Sequence, residues 1–160
     1  VDMFQVNVFG MMYLSQLVAI QQLNQGGPGQ IHIVGSIAGK IPTAMTSAYV
    51  ASKAAIIAYA DALRLELYET PIQVSTINPG PVKTAFFDRS PQMLAYAQVV
   101  EAFSLEADEL ASRIVANMKR KQVKRELNLP WQLAFASKLY GLFPQAGDFL
   151  AARLFNLKEE

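Results

Sequence analysis

An open α/β sheet with parallel strands is the fold class the sequence predicts, and three observations predict it. Short apolar, β-branched runs at 30–35 and 71–77 alternate with long stretches of helical apolar spacing at 2–24 and 47–70. A third helical stretch at 105–121 leads to a third short run at 125–129. Strand, helix, strand, helix, strand is the order that builds parallel neighbours, because each parallel pair needs a long crossover between its strands. In such sheets the working residues gather beyond the carboxyl ends of the strands. Ser36, just after the first run, and Asn78-Pro79-Gly80-Pro81, just after the second, are therefore expected on one rim.

Taken in order, residues 2–24 carry Phe4, Val8, Met11, Met12, Ser15, Val18 and Leu23 near one stripe, with Val6, Leu14 and Leu17 off it. No Asp, Glu, Lys or Arg occurs from Met3 to Gly39. Gln5, Asn7, Gln16, Gln21 and Gln22 interrupt each apolar run short of the ~20 residues of a membrane span, so a helix buried on two sides is expected. Gly26-Gly27-Pro28-Gly29 is a break and 30–35 a strand; 36–46 reads as loop. Residues 47–70 form an alanine-rich helix and 71–77 a buried strand that the Asn-Pro-Gly-Pro turn ends. Residues 83–104 show no firm pattern. The helix expected at 105–121 has Glu106, Asp108 and Glu109 first and Lys119, Arg120 and Lys121 last, an order that complements its dipole. The strand at 125–129 stops at Pro130, and residues 131–156 are an aromatic-rich, helical tail broken at Pro144 and Gly147. The organisation is thus a catalytic unit at 1–130 and a tail at 131–160.

Composition removes several functions. The 160 residues suit one domain with one core. A net charge of +1 gives no basic footprint for nucleic acid. With no cysteine there is neither a disulfide frame nor a thiolate site, and the single histidine, His32, leaves no multi-histidine metal site. His32 lies in an apolar run and reads as a structural or surface residue. The basic residues at 119–125 read as a solvated helix end. At 52% hydrophobic and 17% charged, the chain is expected to bury itself unusually fully or to cover large surfaces with partners. No secretory leader pattern is read, and the cysteine-free composition suits a cytoplasmic protein.

The chemistry concentrates in Ser47-Ala48-Tyr49-Val50-Ala51-Ser52-Lys53. Tyr49 and Lys53, four apart on a helix, share a face one turn from each other. A phenol with a reference pKa near ~10 exchanges protons poorly at neutral pH. A nearby ammonium favours its phenolate and makes proton exchange with an alcohol or carbonyl feasible. Ser36, at a strand end, stands thirteen residues before Tyr49.

Ile33-Val34-Gly35-Ser36-Ile37-Ala38-Gly39, Tyr49-x-x-x-Lys53, Asn7 in the upstream helix and Asn78-Pro79-Gly80-Pro81-Val82-Lys83-Thr84 together resemble the short-chain dehydrogenase/reductase family, in order and in spacing. The resemblance covers nearly all of residues 2–84 and continues weakly through the helix at 105–121 and the strand after it. It implies a partial doubly wound, Rossmann-like sheet and carbonyl reduction or alcohol oxidation with NAD or NADP. It further implies Tyr49 as general acid/base and Lys53 as holder of the nicotinamide-ribose hydroxyls. Ser36 would donate to the substrate oxygen, and Asn7 would organise a water and proton relay towards Lys53. Pro79 and Gly80 would wall the nicotinamide, with the Val82 backbone and the Thr84 side chain on its carboxamide.

A glycine-rich turn between a first strand and a first helix, which would cradle the pyrophosphate, is missing, as is an Asn-Asn-Ala-Gly-like segment. Gly26-Gly27-Pro28-Gly29 runs from helix to strand, the reverse order. The chain opens at Val1 inside a helical pattern, so it is expected to be a truncated, inactive C-terminal half. The alternative is a non-catalytic scaffold or dimerisation module that keeps the fold. Partners expected are an apolar carbonyl or alcohol substrate and a second copy, in a homodimer or homotetramer through 2–24 and 47–69. Residues 85–104, with Phe86, Phe87, Met93, Leu94, Tyr96 and Phe103, would select the substrate, and the tail would be a lid or subunit contact rather than a membrane anchor.

Overall fold

The computed structural model describes residues 2–44, 46–84, 98 and 100–155. The first helix, α1 (Asp2–Gln25), begins with one regular turn, passes through a π-helical stretch at Gln5–Gly10 and continues as an α-helix at Met11–Gln25. It stops at Gly26 and Gly27, whose φ values of 67° and 85° lie in the left-handed region that glycine enters without strain. Strand β1 (Gly29–Val34) follows, then a 3-10 turn at Ile37–Gly39 and helix α2 (Ser47–Glu66). Next come β2 (Ile72–Pro79), the two-residue strands β3 (Val82–Lys83) and β4 (Leu105–Glu106), α3 (Ala107–Met118) and β5 (Glu126–Leu129). Helices α4 (Trp131–Leu142) and α5 (Pro144–Phe155) end the described chain.

The sheet is parallel with order β1-β2-β5, and Ile33 pairs with Thr76 and Asn78 with Asn128. One core joins Ile31, Ile33, Ile72 and Val74 of the strands to Ile56, Ala60 and Leu63 of α2 and Ala19 of α1. Ile56, Ala60 and Leu63 follow the i, i+4, i+7 rule, and burying a side chain such as Ile56 stabilises the fold by roughly 1.5–3 kcal/mol. A second core sets Ile77, Leu127 and Leu129 against Leu105, Leu110 and Ile114. Alternate residues of β2 thus serve the two cores, the mark of a sheet with helices on both faces.

Several expectations change. β2 continues through Asn78 and Pro79, because Gly35 and Gly80 accept the chain into pairing past the expected break: Gly35 N donates to Ile77 O at 2.8 Å and Gly80 N to Leu129 O at 2.6 Å. Leu105 and Glu106 form β4 against β3 before α3 starts, so the acidic first turn of α3 holds Asp108 and Glu109. Pro144 separates the two tail helices, but Gly147 lies inside α5, where a Cβ would strike the Tyr140 ring. Helix α1 buries Val8, Ser15 and Ala19, while Val6, Tyr13 and Leu17 are 70%, 66% and 66% exposed. Its second side is open rather than buried, because β1 is the edge of the three-stranded sheet and nothing in the described residues extends past it. By length and composition alone α1 could cross a membrane, which the glutamines were expected to prevent. Here its packed side is held by Ser15 Oγ at 2.9 Å from Tyr59 Oη, an α1–α2 bond within the fold.

Candidate active site at the carboxyl ends of the strands

β1 delivers Ser36 to the rim through Gly35, which has no room for a side chain: a Cβ there would collide with Asn78 Oδ1 and stand 3.1 Å from Ile57 Cγ1. Ser36 is buried and caps the 3-10 turn, its Oγ accepting from Ala38 N at 3.1 Å. The same hydroxyl donates to Pro79 O at 3.4 Å. That bond is long, so an acceptor arriving at the rim competes with it at small cost.

Tyr49 and Lys53 occupy the first two turns of α2. The Lys53 ammonium stands over the Tyr49 ring, 5.8 Å from its centroid, and donates to Val34 O at 3.4 Å. Burial holds Lys53 below the usual lysine range. Ser52 lies between them and is fully buried, its Oγ donating to Tyr49 O at 2.8 Å and accepting from Asn7 Nδ2 at 3.3 Å. Asn7 projects from the π-helical stretch of α1, a distortion often found at functional positions. Its bond goes to Ser52 and through it to the Tyr49 carbonyl, whereas the Lys53 ammonium bonds Val34 O, so these bonds do not join Asn7 to Lys53 as the expected relay would. Ser52 was missed although it directly precedes Lys53.

The 3-10 turn rests on the α2 backbone. A Cβ on Gly39 would stand 2.8 Å from the Lys53 carbonyl carbon and 2.9 Å from Ala54 N. The Pro79-Gly80 turn is held from the other side, where a Cβ on Gly80 would meet Leu133 Cδ1 at 2.6 Å and Pro130 Cδ at 3.2 Å. Bonds therefore link Ser36 to Pro79, Lys53 to the end of β1, and Asn7 to the Tyr49 backbone. Val82 on β3 is half-buried and Thr84, just beyond, is exposed. Of the expected substrate selector, 85–97 and 99 lie outside the described residues, and Phe103 is exposed on a 3-10 turn at Glu101–Phe103. His32 plays no part in the rim; its Nε2 lies 3.0 Å from Gln30 Oε1, and burial lowers its pKa.

Behind the rim runs a polar chain that sequence reading did not reveal. Lys40, at the end of the 3-10 turn, forms an ion pair of 2.7 Å with Glu126 at the start of β5. Asn128 Nδ2 donates to the same Glu126 oxygen at 3.0 Å, and Asn78 Nδ2 donates to Asn128 Oδ1 at 2.8 Å. Burial by itself raises the Glu126 pKa. The hydrogen bonds from Lys40 and Asn128 and the charges of Lys40 and Arg125 outweigh it, and the carboxyl titrates below its usual range. A carboxyl depressed in the folded state adds stability above its unfolded pKa of ~4.3 and loses it as pH falls through the folded value. Glu126→Gln is thus expected to lower the thermal midpoint at neutral pH, with the gap to the parent closing below about pH 4. A gap that persists unchanged at pH 3 would contradict this.

The family model for short chain dehydrogenases matches residues 1–95. An uncharacterized oxidoreductase, YbbO, of Escherichia coli K12 is 42% identical over 89 residues, 56% of this chain and 33% of that protein. A probable short-chain type dehydrogenase/reductase, VdlC, of Helicobacter pylori is 34% identical over 160 residues, 89% of this chain and 58% of the relative. The chain thus matches between a third and three-fifths of the length of these relatives. Among solved structures, a short-chain dehydrogenase of Burkholderia cenocepacia in complex with NADP superposes with a TM-score of 0.72 at 21% identity, covering 96% of this chain and 57% of the other. One of Burkholderia phymatum in complex with NAD gives 0.73 at 19%, covering 89% and 57%. With the serine turn, the Tyr-x-x-x-Lys helix and the Asn-Pro-Gly strand end assembled on one rim of a parallel sheet, the chain belongs to the short-chain dehydrogenase family.

Proposed function

We propose that this chain carries the acid/base and substrate-binding half of a nicotinamide-dependent oxidoreductase that interconverts a carbonyl and an alcohol. The observation that carries the reading is the Tyr49–Lys53 pair on one face of α2, with the Lys53 ammonium bonded to the last residue of β1, two residues before Ser36. The donor set fits the nicotinamide-ribose end of NAD or NADP: an ammonium and a phenol one helical turn apart. The pyrophosphate has no such fit at Gly26-Gly27-Pro28-Gly29, which lies at the amino end of β1, opposite the rim.

When bound, the dinucleotide supplies or takes the hydride. Tyr49 gives its proton to the substrate oxygen in reduction and takes it in oxidation. Ser36 turns its hydroxyl from Pro79 O to that oxygen, stabilising charge where it develops. Lys53 would hold the ribose hydroxyls. Asn7, through Ser52, fixes the backbone carrying Tyr49 and Lys53. Pro79 and Gly80 wall the nicotinamide; the Val82 backbone and the Thr84 side chain hold its carboxamide. The test is oxidation of NADH and NADPH by the full-length protein with a panel of apolar carbonyl compounds. Absence of turnover with every one, alongside intact folding, would favour a scaffold role.

The open side of α1, with Val6, Tyr13, Leu17 and Ile20, supports pairing with a second copy in a homodimer or homotetramer, together with α2. The tail supports a lid: α4 packs on the Ile37–Gly39 turn and sets Leu133 against Gly80, while Trp131 and Phe135 stay exposed beside it. Sedimentation is expected to report an oligomer. Deleting 131–160 is expected to change that state or weaken substrate affinity. A monomer at micromolar concentration would remove the pairing, and unchanged assembly and affinity in the deletion would remove the lid.

A further inference from the structure

We propose that Lys40 and Glu126 are positioning residues that lock the two turns of the rim together, an inference that rests on the function proposed above. The geometry is a closed circuit. Ser36 begins the 3-10 turn and Lys40 ends it, with Gly39 N bonded to Ser36 O at 3.0 Å and Lys40 N to Ile37 O at 2.9 Å. From Lys40 Nζ the path crosses to Glu126 Oε2 at 2.7 Å, to Asn128 at 3.0 Å and to Asn78 at 2.8 Å. Asn78 directly precedes Pro79 and Gly80, and its Oδ1 stands against the Cα of Gly35, which directly precedes Ser36. The circuit therefore starts and ends beside the Ser36 hydroxyl and passes through the turn that would wall the nicotinamide.

Three features set this circuit apart from side chains that simply face water. The Lys40 and Glu126 side chains are only 22% and 18% exposed, so each charge has given up most of its water and depends on the other. Asn78 is fully buried, and its Oδ1 has no hydrogen-bond partner among the described residues. Its amide is therefore oriented by what its Nδ2 donates to, Asn128 at 2.8 Å and more weakly Thr76 Oγ1 at 3.5 Å. Glu126 also meets Arg125, which is itself tied to Asp61 of α2 at 2.9 Å. Removing Glu126 would free Lys40 and loosen Asn128, and with them both turns at once. Catalysis between a hydroxyl on one turn and a cofactor on the other is sensitive to sub-ångström misplacement.

The test is hydrogen exchange on the 160-residue chain, paired with steady-state kinetics on the full-length protein. The variants are Glu126→Ala, Lys40→Met and, as the conservative control, Lys40→Arg. Exchange of the Gly39, Lys40 and Ile41 amides is expected to rise about tenfold in the first two, with the amides of α3 unchanged, since loss of a local tie opens a local unit. kcat is expected to fall about tenfold or more with the cofactor KM changed less than twofold, and Lys40→Arg to recover most of it. The double variant should be no worse than Glu126→Ala, because both substitutions cut one link. Unchanged exchange in the turn, or a rise equal throughout the chain, overturns the proposal; so does a kcat within twofold of the parent's. Tyr49→Phe, run alongside, separates the two readings. If it abolishes turnover and Glu126→Ala does not, only the positioning role fails. If Tyr49→Phe leaves turnover intact, the proposed chemistry fails and this inference with it.

Discussion

Replacing Tyr49 by Phe is expected to lower turnover of the full-length protein by about 10²–10⁴-fold, the usual worth of a positioned general acid/base. The ring stays, and with it the Lys53 ammonium 5.8 Å from its centroid and the Ser52 hydroxyl on the Tyr49 carbonyl. Only the hydroxyl is removed, so stability should hardly change. The decisive measurement is single-turnover hydride transfer with the cofactor saturating, compared with the thermal midpoint of the same variant. A variant retaining half the parent rate would end the assignment of Tyr49. A variant that loses rate only in proportion to its loss of folded protein would make the tyrosine a packing residue.

Gly39→Ala is expected to destabilise the chain by about 3 kcal/mol, the upper part of the range for overpacking. The reason is what the added methyl would meet: two of its three nearest atoms, at 2.8 and 2.9 Å, belong to the α2 backbone at Lys53 and Ala54. A side chain can swing aside, whereas the middle of a helix yields only by moving the helix. The Ser36 turn and the Lys53 turn would be wedged apart, and activity should fall together with stability. Gly141→Ala is the internal comparison. It lies inside α4 with nothing within 4 Å of its Cβ position, so the same substitution should stabilise by roughly 0.5–1 kcal/mol. Denaturant titration of the two variants should move the midpoints in opposite directions; equal midpoints would contradict the close approach at Gly39.

The parallel sheet and the rim were legible because each rests on a local pattern: β-branched runs closed by Gly and Pro, and a four-residue spacing that puts Tyr49 and Lys53 on one face. The links behind the rim were not legible, because no sequence interval relates Lys40 to Glu126, or Asn78 to Asn128. Register creates those neighbours, with β2 and β5 pairing Thr76 to Glu126 and Asn78 to Asn128. The glycines behaved in the same way. Gly35 and Gly39 have ordinary backbone angles, so their need for glycine comes entirely from what stands opposite them. Leu105 and Glu106 looked helical because the charge order pointed that way; two residues of pairing with β3 decided otherwise. Apolar residues on two sides of α1 show that both sides want cover but not what covers the second, which within the chain depends on β1 being the edge strand.

The π-helical stretch at Gln5–Gly10 has a consequence for chain length. An α-helix keeps a fixed angular clock of 3.6 residues per turn, and a wider turn makes the clock run slow. The residues before Gln5 and those after Gly10 are therefore out of phase with one another. Deleting one residue between Gln5 and Gly10 would restore the clock. Every side chain upstream of the deletion would then rotate by about a quarter turn or more, and Asn7 would swing off Ser52. At this point of the chain the number of residues, more than their hydrophobicity, keeps an amide aimed at its hydroxyl.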